Sequence, residues 1–206
     1  LFGLPASGRA QVYAALCRQL DKPLCIVTPG EAEATRVAAD LNTLGIPAAV
    51  FPARDYVLRP IEGPAREYEY RRLAVLGELV GGRLRAVAVP AEALTQFTTP
   101  KEDFCANTRT LHAGDTLLRD DLLAALFGAG YTRRAQVDGP GQFSVRGDIV
   151  DIFAPDQKMP VRMEFWGDEI DTLHTFDLTT QRREDAIDKF YLSPAREVLF
   201  GKPADA

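Results

Sequence analysis

VDGPGQFSVRGDIVDIFAPDQKMPVRMEFWGDEIDTLHTFD, residues 137 to 177, carries the period-two alternation of a small antiparallel β unit with an unusual outer face. In its second half Val161, Met163 and Phe165 fall on one side, and Arg162, Glu164 and Trp166 on the other. Gly167-Asp168 follows, and Gly at the first central position suits a two-residue hairpin whose return strand starts near Ile170. The first half alternates from Gln142 to Asp148, with Phe143 and Val145 inward and Ser144 and Arg146 outward. It then turns apolar on both parities at Ile149, Val150, Ile152 and Phe153. Gly147 sits at that change, which predicts a bulge inside one strand that re-aims Arg146. Two neighbouring strands thus present Arg146, Arg162, Glu164 and Trp166 together. Arginines on an outer sheet face also serve simply to keep it solvated. A Trp among them is the composition of an interface anchor, unless another part of the chain covers it.

Around this unit the second module reads as a strand through Thr108 to Leu111, a helix from Arg119 to Phe127 closed by Gly128-Ala129-Gly130, and a last strand Phe190-Tyr191-Leu192. Arg133 and Arg134 either extend the arginine surface or solvate a strand edge, and Arg182 and Arg183 fall in a turn after the hairpin. Thr98-Thr99-Pro100-Lys101-Glu102-Asp103 is a turn-rich crossing point, so the expected modules are residues 1–102 and 103–190, with 191–206 as the start of a return segment to the first module.

The first module opens Gly3-Leu4-Pro5-Ala6-Ser7-Gly8-Arg9-Ala10, with the glycine spacing of a phosphate-cradling GxxxxGK[ST] loop. Arg9 stands at the Lys position and Ala10 at the position whose hydroxyl ligates Mg²⁺, so hydrolysis is not expected of this chain. A GxxxxG turn also occurs as a plain strand-to-helix connection. Helices over 9–20, 31–44 and 66–80 alternate with apolar strands over 24–27, 48–51 and 85–89, the pattern of a parallel sheet covered by helices. No acidic residue directly follows a strand to organise Mg²⁺. The loop Ala53 to Ala65 holds one aromatic, Tyr56, which leaves no stacking platform for single-stranded nucleic acid, and REYEYRR (66–72) reads as a solvated helix face. The fold class expected is α/β, a parallel-sheet module that resembles a degenerate RecA-like half-domain, followed by a small α+β domain with an antiparallel sheet.

The chain has 206 residues, 46% of them hydrophobic, enough to bury cores in two domains. Cys17, Cys25 and Cys105 form no CxxC pair and have only His112 and His174 to join them, so neither a disulfide framework nor a zinc site is expected, and the cysteines read as core or near-core filler. A formal net charge of −5 argues against the broad basic footprint of a self-sufficient DNA binder. No apolar run approaches membrane-spanning length and the start lacks a signal-like core, so no membrane partner and a cytoplasmic location are expected. The opening at Leu1-Phe2-Gly3 without Met reads as that of an excised piece.

GQFSVRGDIVDIF, then VRMEFWGDEID, then FDLTTQR resembles the second domain of the bacterial nucleotide excision repair family that includes UvrB and the transcription-repair coupling factors. The altered phosphate loop, the stretch LCIVTPGEAEATRVAADLNTLGI and the short 53–65 loop favour the coupling factors, since UvrB is expected to keep an intact GKT loop and a long aromatic hairpin. The resemblance implies a non-catalytic module that docks UvrA, the damage-sensing ATPase, through Arg146, Arg162, Trp166 and Glu164, with Trp166 where the family tends to have Phe. It implies no cofactor here. ATP and Mg²⁺ belong to motor domains elsewhere in the intact protein, an ATP-driven DNA translocase that displaces stalled RNA polymerase. On this basis Glu164 is expected to orient Arg162, and Trp166→Ala or Arg162→Ala to weaken docking without unfolding. The alternative is a UvrB-like damage-verifying ATPase or another P-loop NTPase, with Arg9 in place of Lys.

Overall fold

The computed structural model describes residues 3–54 and 65–197. They divide into two units, Leu1–Phe97 and Thr98–Ala206.

In the first unit α1 (Ala6–Gln19), β1 (Leu24–Thr28), α2 (Glu31–Thr43), β2 (Ala48–Val50), α3 (Ala65–Val80), β3 (Ala86–Pro90) and the short α4 (Ala91–Leu94) follow in order. The strands form a parallel sheet in the order β1-β3-β2. Parallel neighbours need crossovers, which the helices supply, and the central β3 is buried along its whole length. Ala14, Cys17, Ile26, Leu41, Ile46 and Ala86 pack on one side of the sheet; Phe51, Val75, Leu84, Val87, Val89 and Ala93 pack on the other.

Three expectations change in this unit. The first helix starts at Ala6, not near Arg9, so Gly8, Arg9 and Ala10 lie inside α1. Arg72, read as part of a solvated face, is fully buried, because its guanidinium donates to the Pro52 carbonyl at 2.8 Å and lies 4.1 Å over the Phe51 ring. Of the cysteines only Cys17 is buried, and burial pushes its thiol pKa up. Cys25 is exposed because it lies on the edge strand β1 opposite Ile26, which faces α1 and α2; Cys105 is exposed next to the buried Phe104. Residues 55–64, which include Tyr56, lie outside the described residues.

In the second unit α5 (Lys101–Ala106), β4 (Arg109–His112), α6 (Arg119–Gly128), β5 (Thr132–Arg133), β6 (Gln142–Arg146), β7 (Ile149–Phe153), β8 (Val161–Trp166), β9 (Glu169–Phe176), β10 (Arg183–Ala186) and β11 (Lys189–Leu192) follow. Six strands make one sheet in the order β10-β9-β8-β7-β6-β5, antiparallel except for the β5–β6 pair. β11 pairs with β4 in a separate ladder. Leu122 and Leu126 of α6 pack with Phe143, Val150, Ile152, Met163, Phe165, Ile170 and Leu173 of the large sheet and with Phe190 and Leu192 of β11. Pro100, read as part of a linker, is the N-cap of α5, which straddles the expected boundary and lies wholly in the second unit.

The expected bulge at Gly147 is instead a hairpin turn. Arg146 pairs with Ile149 across Gly147-Asp148, as Trp166 pairs with Glu169 across Gly167-Asp168. Both glycines have positive φ, 60° and 63°, at the first central position, so a sequence read as one long strand is two. A Cβ on Gly147 would meet nothing within 4 Å, so Gly147→Ala carries only the backbone cost. That substitution is expected to lower stability by about 1 kcal/mol, measurable by urea unfolding. The bulge lies on β9, where the register shifts between Glu164↔Thr172 and Phe165↔Ile170 and leaves Asp171 unpaired in the ladder.

Candidate functional site

β6 and β8 both run antiparallel to β7, so Arg146 and Trp166 end their strands at the same end of the sheet, each just before a Gly-Asp turn. Arg119 at the start of α6 ties one of these turns down, donating from Nη1 to the Gly147 carbonyl at 2.9 Å and to Asp148 Oδ1 at 3.1 Å.

The face opposite α6 is not uniformly outward. Ser144, Asp151, Arg162 and His174 form one rung in register across four strands, and Ser144, Asp151 and Arg162 are buried. Val137, Phe153, Phe176 and Leu178 make a small second core on this side. The Asp177–Gln181 turn closes over it. Asp177 Oδ1 accepts the N–H groups of Thr179 and Thr180 at 3.1 and 2.7 Å, and the Thr180 bond above all holds this carboxyl below its ordinary range. Gln181 takes φ 59°, the only positive φ of a non-glycine among the described residues. Its carbonyl accepts Arg162 Nη1 at 3.2 Å, and its Nε2 donates to the Leu178 carbonyl at 2.8 Å.

Asp151 is the pivot of the site, although no local sequence pattern marks it. Arg162 holds it in a two-point fork, Nε to Oδ1 at 2.7 Å and Nη2 to Oδ2 at 2.9 Å. Arg146 Nη2 reaches the same Oδ2 at 2.8 Å. The Arg162 head lies 4.7 Å over the Phe176 ring, and its hydrogen bonds with Asp151 raise its pKa further above an already high ordinary value. The two expected arginines therefore differ. The Arg162 side chain keeps 10% of its exposure and is clasped from within, whereas Arg146 keeps 48% and points one edge of its fork outward.

Contrary to what the resemblance implied, it is Asp151 and not Glu164 that orients Arg162. Glu164 Oε1 instead pairs with Arg183 Nη2, and its Oε2 accepts the Thr172 hydroxyl at 3.3 Å. Arg183, expected in a turn, is the first residue of β10. Trp166 is 83% exposed, and no covering partner is found among the described residues. Arg133 is in register with Phe143 and so belongs to the opposite face from Arg146. The structure thus brings Arg146, Arg162, Glu164 and Trp166 onto one face, as the alternation implied, with Arg162 enclosed and Trp166 fully presented.

In the first unit, Gly8, Arg9 and Ala10 of the expected phosphate loop lie within α1. Arg9 Nε donates to the Leu4 carbonyl at 3.3 Å, and its Nη1 lies 3.7 Å from Glu33 of α2. Ala10 is buried. Among the described residues no group of three or more His, Cys, Asp or Glu side chains could hold a metal ion, and no helix is long and apolar enough to cross a membrane.

Residues 110–198 match the UvrB interaction domain family. Over 97% of its length the chain is 29% identical to a transcription-repair-coupling factor of Bacillus subtilis, and over 96% it is 35% identical to that of Myxococcus xanthus. Over 89% it is 36% identical to that of Mycobacterium bovis. The chain spans 17%, 17% and 15% of these three relatives, about a sixth of their length.

Proposed function

The second unit carries a UvrB interaction domain, in a chain similar over almost its whole length to a segment of the transcription-repair coupling factors, and from this premise we propose that it is a docking module for UvrA. The observation that carries the reading is Trp166, an apolar side chain 83% exposed at the end of β8, on the face where Arg146 holds a half-exposed guanidinium. Exposed large aromatics beside arginine mark binding hot spots, because burying such a ring gains area at little conformational cost. Trp166 inserts into an apolar recess on UvrA, and the outward edge of Arg146 pairs with a carboxylate at its rim. Arg162 acts from beneath, holding Asp151 and through it Arg146.

The module recruits UvrA to lesions in transcription-coupled nucleotide excision repair. The intact protein is an ATP-driven DNA translocase that displaces stalled RNA polymerase, and its contacts with polymerase, DNA, ATP and Mg²⁺ lie in other domains. This chain hydrolyses nothing itself. Supporting that, Arg9 and Ala10 stand where a P-loop needs Lys and a hydroxyl, and Arg9 is already paired with Glu33.

Calorimetric titration of the chain with UvrA tests the reading. Saturable binding is the expected result, and a folded chain that does not bind overturns it. Mg-ATP is expected to leave the unfolding midpoint unchanged; a rise that grows with nucleotide concentration would establish a nucleotide site and favour the NTPase reading.

A further inference from the structure

From the geometry of β10 we infer that Arg183 is a second guanidinium contact of the docking face, and that Glu164 is the positioning residue that holds it there; the inference rests on the UvrA-docking reading. β10 is the sheet's edge strand, two strands from β8, with β9 between them. Arg183 nevertheless reaches across β9 to Glu164, whose other carboxylate oxygen is fixed by the Thr172 hydroxyl of β9. Glu164 side-chain exposure is 20%, and that of Arg183 is 47%. The carboxylate therefore lies low against the sheet, with the guanidinium above it. A partner approaching this face meets Arg183 before it meets Glu164.

The arrangement repeats that on the other side of β8. Arg146, Ile149, Glu164 and Thr172 form one rung in register from β6 to β9. At one end of this rung Asp151 holds Arg146, and at the other Glu164 holds Arg183. Trp166 lies two residues beyond Glu164 on the same side of β8. An arginine fork has five N–H donors, and in each of these outer arginines the carboxylate engages only Nη2. The remaining donors of both heads are available to a partner on the face that also presents the indole. The cluster sets three guanidinium groups, Arg146, Arg162 and Arg183, against two carboxylates, Asp151 and Glu164. Glu169, the exposed cross-strand partner of Trp166, adds a third carboxylate to this face, so the positive charge a partner meets is local to the outward donors of Arg146 and Arg183. The complementary surface on UvrA is an apolar recess with acidic side chains beside it.

A double-mutant cycle in calorimetric titrations with UvrA tests this, using Arg183→Ala, Glu164→Gln and the pair, beside the parent chain. Arg183→Ala is expected to weaken binding about tenfold, the scale of one lost charge-assisted contact, with little change in the unfolding midpoint because the Arg183 side chain is about half exposed. Glu164→Gln is expected to weaken binding less, and the pair no more than Arg183→Ala alone. Arg183→Lys should recover part of the loss. Parent binding with Arg183→Ala within twofold of it overturns the inference and leaves the docking reading standing. Equal losses from Glu164→Gln with and without Arg183 would make Glu164 a direct contact and overturn its positioning role. A folded parent that does not bind UvrA overturns the docking reading, and the inference with it.

Discussion

Arg162→Ala is expected to lower the unfolding free energy by about 3–5 kcal/mol, because it leaves the Asp151 carboxylate buried without its main counter-ion. Asp151 retains 1% of its side-chain exposure, and two of its three guanidinium hydrogen bonds come from Arg162. Arg146 alone cannot replace them from its half-exposed position. Against a total of roughly 5–15 kcal/mol for a domain, such a loss is large enough to leave part of the chain unfolded near body temperature. Urea unfolding of the parent and the variant measures it. A midpoint shift equivalent to less than about 0.5 kcal/mol would mean that the pair contributes little and that Asp151 finds other partners. The resemblance implied that Arg162 could be truncated without unfolding. Its burial reverses that expectation, so lost UvrA binding in this variant reports the fold as well as the contact.

Trp166→Ala has the opposite signature. With 83% of the residue in solvent, the substitution is expected to leave the unfolding midpoint where it is and to weaken UvrA binding about 30-fold or more, the roughly 2 kcal/mol of a hot-spot anchor. Trp166→Phe should retain much of the affinity, since the shorter aromatic still enters an apolar recess. Binding of the alanine variant within threefold of the parent would remove Trp166 from the docking face and shift attention to its arginines. Stability and affinity thus separate the two residues, Arg162 from below the face and Trp166 from above it.

Much of the site was legible because strand alternation is local. The side-chain period of two placed Arg162, Glu164 and Trp166 together, and Gly167-Asp168 announced the turn that ends β8. Gly147-Asp148 is the same dipeptide in the same role, yet it was read as a bulge. The apolar run after it has no alternation, because β7 faces a core on both sides, Val150 and Ile152 toward α6 and Phe153 toward the Val137 cluster. The cysteine reading failed for a related reason. Residue type gives the tendency to be buried, and only the placement of β1 at a sheet edge leaves Cys25 uncovered.

By itself the sequence determined the α/β alternation of the first unit, the antiparallel unit in the second and the residues that share its outer face. Each follows from periods and turn residues that act over a few positions. Tertiary structure alone decided which of those residues remain outward. Asp151 lies 11 positions from Arg162, Arg183 lies 19 from Glu164, and Arg72 lies 20 from Pro52 and 25 from Phe97. A guanidinium is buried only where distant segments supply its acceptors, because the cost of desolvating a charge is offset by partners that no local pattern specifies.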